Sequence, residues 1–168
     1  MKNLIKNAIV AAMFTGLAMS ASAQNFAGKT SQALGQKIAN EVMMEIMTDV
    51  QKAGDKQPSE EEIGKMIGKK MADKMRANLD DMKKAGTEDC AELYGQDSAS
   101  KCQCVTDKTD YDVVFAMMEK QMANPQAQPG EELKALEAKT EENYKACDLD
   151  IKVMKDATEK AMKEVTGK

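Results

Sequence analysis

Histidine and tryptophan are both absent from the 168 residues, and only three tyrosines and three phenylalanines are present. Without histidine the chain lacks the side chain that most often acts as a general base near neutral pH, and the commonest metal ligand. A Ser-His-Asp or Cys-His catalytic set is excluded, as is any histidine-containing metal cluster. Nor is there a glycine-rich phosphate loop. Paired acids such as Asp80-Asp81, Glu131-Glu132 and Glu141-Glu142 are numerous. Neighbours on a helix diverge by about 100°, so these pairs read as solvated surface or as charge at helix starts. The absences together argue against an enzyme, and no cofactor is expected.

A long apolar stretch occurs once, at the start. Lys2 and Lys6 with no acid, an apolar run from Ala8 to Met19, and the small residues Ala21-Ser22-Ala23 form the three parts of a secretory signal. The run is too short, and wrongly flanked, for a membrane-spanning helix. Cleavage after Ala23 leaves residues 24–168 as a single domain and, with Lys2 and Lys6 gone, takes the net charge from −4 to −6. The bacterial style of the signal points to the periplasm or the medium, with no transmembrane segment after cleavage. The acidic balance argues against nucleic acid as a partner.

No stretch alternates as a strand would, whereas helical periodicity recurs throughout. Leu34, Ile38, Val42, Ile46 and Val50 repeat every four residues, predicting an amphipathic helix over 31–52. Ser59 and Glu62 form a capping box that opens a second helix, carried by Ile63, Ile67, Met71, Met75 and Leu79 and stopped at Gly86. Gly64 and Gly68 lie on its inner side. Each glycine costs a helix about 1 kcal/mol against alanine, so close approach of a neighbouring helix is the expected compensation. Thr87 caps a short helix ending at Gly95, and another covers about 98–122 with Tyr111, Val114, Phe115, Met118 and Met122 on one face. After a linker at 126–129, Leu133, Leu136, Thr140, Tyr144, Cys147, Ile151 and Met154 mark one long C-terminal helix with a seam of nearly coiled-coil period. The expected fold is all-α: about five helices in one bundle, with a long last helix, stapled by two disulfides.

The staples come from four cysteines, Cys90, Cys102, Cys104 and Cys147. Behind a secretion signal these read as two bonds, with three possible connectivities. In a helix Cys102 and Cys104 point about 200° apart and should serve different partners. Cys90 and Cys102 are symmetric about Gln96, like facing positions of a helical hairpin. Cys90–Cys102 with Cys104–Cys147 is therefore favoured, and Cys90–Cys104 with Cys102–Cys147 is the rival. A Cys102–Cys104 bond would close a strained ring. A thiol redox site at Cys102-Gln103-Cys104 is the sharper alternative, with Lys101 available to lower a thiol pKa.

Methionine is the other abundance: fifteen residues, twelve of them after residue 23. Most fall on apolar stripes and can fill an aromatic-poor core. Met44 and Met117 project off their stripes and Met43 and Met47 flank one, so these four are the candidates for a soft-metal Cu(I) or Ag(I) site or for oxidant scavenging. Val113, Met117, Leu149 and Val153 also fall off the main stripes and could form a second apolar surface. The function expected is binding or structural presence, through a protein partner or self-association along helical faces. Methionine chemistry is the first alternative and thiol redox the second.

Overall fold

The computed structural model describes residues 28–54, 58–124 and 130–166. The expected signal segment 1–23, residues 24–27 and 55–57, the linker at 126–129 with residue 125 before it, and residues 167–168 lie outside these. Seven α-helices and one 3-10 turn make up the described residues: α1 (Lys29–Lys52), α2 (Glu60–Ala77), α3 (Leu79–Tyr94), the turn Gln96–Ser98, α4 (Ala99–Lys108), α5 (Tyr111–Ala123), α6 (Glu131–Ala146) and α7 (Ile151–Thr166). The all-α, twice-stapled architecture agrees with the sequence reading. The helix count does not, because three expected helix interiors are broken.

The first break is at Asn78. Its backbone leaves helical geometry while its side-chain amide donates to the Lys74 carbonyl at 2.7 Å. Such local bonding is how asparagine competes with helix continuation. The chain restarts at Leu79 and runs through Gly86 and Thr87, the expected stop and cap, to Tyr94. Thr87 instead sends its hydroxyl proton to the Lys83 carbonyl. The second break is Thr109-Asp110, where Thr109 is extended and the Asp110 carboxylate accepts from the Val113 amide, opening α5. The third divides the expected long C-terminal helix. Asp148 takes a left-handed conformation with φ 55°, and the Leu149 amide returns to the Tyr144 carbonyl at 3.0 Å. This is the common helix-ending geometry, with an aspartate where glycine is usual. The turn interrupts the seam and buries Leu149, which lies off it, together with Tyr144, Cys147 and Met154, which lie on it.

Two apolar cores result. The first joins Ile38, Val42 and Ile46 of α1 with Ile67, Met71 and Met75 of α2 and Phe115 and Met118 of α5. The second joins the two disulfides with Val105, Tyr144, Leu149 and Met154. Helix α3 packs on α1 on one side and α4 on the other, so it ties the two cores together. Methionine at 71, 75, 118 and 154 is buried, as its place on the stripes implies.

Local chemistry holds these helices in place. The capping box of Ser59 and Glu62 is formed, and backbone and hydroxyl bonds from Ser59 hold the Glu62 carboxyl below its ordinary pKa. A methyl group placed on Gly68 would sit 3.0 Å from the Glu119 carbonyl oxygen, and one on Gly64 the same distance from that of Met122. Helix α5 thus rests directly on the glycine face of α2. On the other side of α2, Lys70 bridges Glu45 and Asp49, and Lys74 bridges Glu41 and Glu45. The Lys74 and Lys70 ammonium groups hold Glu45 below the usual carboxylate range.

Candidate functional site

The four cysteines form Cys90–Cys102 and Cys104–Cys147, with Cα separations of 5.6 and 5.8 Å. Cys90 and Cys102 face each other across the antiparallel pair α3 and α4, joined by the turn at Gly95. Cys104, on the opposite side of α4, reaches the end of α6. The adjacent cysteines of the Cys-Gln-Cys stretch therefore belong to different bonds. Cys90, Cys102 and Cys147 are buried, and Cys104 is half-buried.

The four singled-out methionines are split between two helices. Met43, Met44 and Met47 are on α1, with Met44 71 % exposed, Met47 exposed and Met43 half-buried. Met117 is half-buried on α5. None of the four belongs to either core. Of the off-stripe apolar residues, Val113 and Val153 are exposed, whereas Leu149 is buried in the second core.

The feature that sequence reasoning missed is a cavity of about 140 Å³ between the two cores. Its floor is Ile38 and Met75 from the first core and the Cys90–Cys102 disulfide, Val105 and Tyr144 from the second. Leu34 and Gly35 of α1, Met82 and Ala85 of α3, Tyr111 and Val114 of α5, and Leu136 and Thr140 of α6 complete the wall. Of the nineteen described residues around it, none carries a charge.

The polar atoms at the wall are hydroxyls and one amide, and most are oriented by helix backbone. Thr109 donates to the Val105 carbonyl and Thr140 to that of Leu136, at 2.9 and 2.8 Å. With the Thr87 proton on the Lys83 carbonyl, Thr106 donates to the Thr87 hydroxyl at 2.9 Å, which locks α3 to α4. The Asn143 side-chain amide donates to the Lys108 carbonyl at 3.0 Å, fixing α6 against the end of α4. Burial pushes the Tyr111 phenol up to about 12, with the nearby charge of Asp107 adding to the effect. Burial likewise raises Tyr144, helped by the neighbouring phenols of Tyr94 and Tyr111. Both phenols are neutral at any physiological pH. Among the described residues the cavity wall is thus mostly apolar, with hydroxyls and one amide as its polar side-chain groups and no charge.

One further residue was invisible in the sequence. Asp89, only 3 % exposed, accepts from the backbone amides of Thr30 and Ser31 at 3.0 and 2.8 Å. It caps α1 from α3, nearly sixty residues away. Gly28 makes room for it, since a Cβ there would fall 2.1 Å from the Asp89 carboxyl carbon. The cap sets the position of the first turns of α1, which supply Ser31, Leu34 and Gly35 to the cavity wall. An acid in mid-helix has no local signature of such a role.

Among the described residues, no group of cysteine and acidic side chains could hold a metal ion, and no helix is long and apolar enough to cross a membrane. No protein-family model, no curated protein and no solved structure matches the chain.

Proposed function

We propose that this is an exported, disulfide-stapled binding protein, working in the periplasm or outside the cell, that holds a small uncharged molecule in the cavity between its two cores. One observation carries the reading: the described residues of a cavity wall drawn from six helices include no charged side chain, although 31 % of the chain is charged. Two disulfides support export, since such bonds persist in oxidising compartments. Thiol redox chemistry is less well supported, because Cys102 and Cys104 are committed to separate bonds and Cys102 is fully buried.

The test is methyl NMR on the oxidised protein titrated with toluene, n-butanol and benzoate. Toluene or n-butanol should move the methyl signals of Leu34, Val105 and Leu136 while benzoate leaves them in place. Ala85→Leu, which fills the wall, should abolish the response. Unmoved methyls with both neutral probes, or an equal response to benzoate, would overturn the reading. Mass spectrometry of the exported protein should find Gln24 as its first residue.

A further inference from the structure

The character of the wall narrows the class of ligand, an inference that rests on the cavity being the binding site. Its apolar surface is unusually rich in sulfur and aromatic rings for a chain so poor in aromatics. The thioethers of Met75 and Met82 and the disulfide Cys90–Cys102 bring sulfur to it, and Tyr111 and Tyr144 bring two of the six aromatic rings in the chain. Sulfur and ring edges favour an aromatic guest over an aliphatic one of equal size. The volume of about 140 Å³ is close to that of the apolar cavity, on the order of 150 Å³, known to take up benzene in another protein. A single ring fits it.

The threonines define the polar end of the guest. A hydroxyl has one proton and two lone pairs. Thr109 and Thr140 have each directed that proton at a carbonyl of their own helix, four residues back. What remains on each oxygen is acceptor capacity. A guest that donates a hydrogen bond satisfies them, and one that is charged meets no counter-ion among the described residues of the wall.

We propose that the cavity binds a neutral, single-ring aromatic molecule bearing a hydroxyl or N–H donor, of which phenol is the simplest representative. The apolar walls hold the ring, and the oxygen of Thr109 or of Thr140 accepts from its donor.

The experiment is a comparison of dissociation constants for phenol, toluene and cyclohexanol, read from the same pocket methyl signals on the full oxidised protein. Phenol should bind about tenfold tighter than toluene, which lacks the donor, and about tenfold tighter than cyclohexanol, which lacks the ring. In the double variant Thr109→Val and Thr140→Val, phenol should fall to the affinity of toluene while toluene itself is unchanged. Cyclohexanol binding as tightly as phenol would overturn the aromatic assignment and leave the neutral cavity standing. Phenol no better than toluene, or unaffected by the double variant, would overturn the donor assignment. Failure of all three probes to move the pocket methyls would remove the cavity reading itself.

Discussion

Replacing Gly68 by alanine should separate two effects that usually travel together. Alanine is worth about 1 kcal/mol over glycine inside a helix, and Gly68 is in the middle of α2. Its Cβ, however, would meet the Glu119 carbonyl oxygen at 3.0 Å, the Met122 Cβ at 3.2 Å and the Glu119 Cα at 3.5 Å. Two of those atoms are helix backbone and cannot rotate aside, so α5 must move off α2. Overpacking of this kind costs about 1–3 kcal/mol, which outweighs the propensity gain and leaves a net loss of about 1 kcal/mol. Gly35 is the control. It is also in mid-helix, on α1, but a Cβ there meets no atom within 4 Å, so Gly35→Ala should keep the whole gain of about 1 kcal/mol. The two variants should differ by about 2 kcal/mol, or about 6 °C in melting temperature for a chain of this size. Thermal denaturation followed by helical circular dichroism reads this directly. If Gly68→Ala melts at or above Gly35→Ala, the direct seating of α5 on the glycine face is wrong.

Three further outcomes are expected. Asp89→Ala removes two charge-assisted bonds to the start of α1 and should cost about 2 kcal/mol in denaturant melts, with faster hydrogen exchange at Thr30 and Ser31; a loss below about 0.5 kcal/mol would deny the cap its role. The raised phenols of Tyr111 and Tyr144 contribute stability that is intact below the ordinary tyrosine value near 10 and lost as pH climbs through the folded values. Phenolate absorbance should therefore rise together with loss of helix above about pH 11, and free titration of all three tyrosines near pH 10 in folded protein would contradict their burial. Dilute peroxide should oxidise Met44 well before Met71 or Met75, read by peptide mass spectrometry, because Met44 is largely exposed and the other two are buried.

Much of the fold was legible wherever one helix shows one face to one core. The four-residue repeat from Leu34 to Val50 and that from Ile63 to Met75 both correspond to observed helices, and the glycines within the second pattern correctly implied a close neighbour. Helical phase placed Cys102 and Cys104 in different bonds, and the symmetry of Cys90 and Cys102 about Gln96 favoured the observed pairing over its rival. The breaks were not legible. Asn78, Thr109-Asp110 and Asp148 carry neither proline nor glycine, and each ends its helix through local geometry or side-chain bonding. Gly86 gave the opposite error: it is inside α3, with Thr106 of α4 close against it, so a glycine read as a stop is a packing residue. The cavity was out of reach for a different reason. Six helices supply its wall, none more than four residues, and no local pattern records a surface assembled from so many distant pieces.

The order of the disulfides along the chain has a consequence for how the protein is made. Each cysteine pairs with its neighbour in sequence, the first with the second and the third with the fourth, so the closed loops follow one another without interlocking. A chain emerging amino end first presents Cys90 and Cys102 well before Cys147, which follows its partner Cys104 by 43 residues. Oxidation in order of emergence then yields the native pairing directly. Maturation of such a chain calls for an oxidant but not for a shuffling enzyme, provided Cys104 stays a thiol until its partner appears.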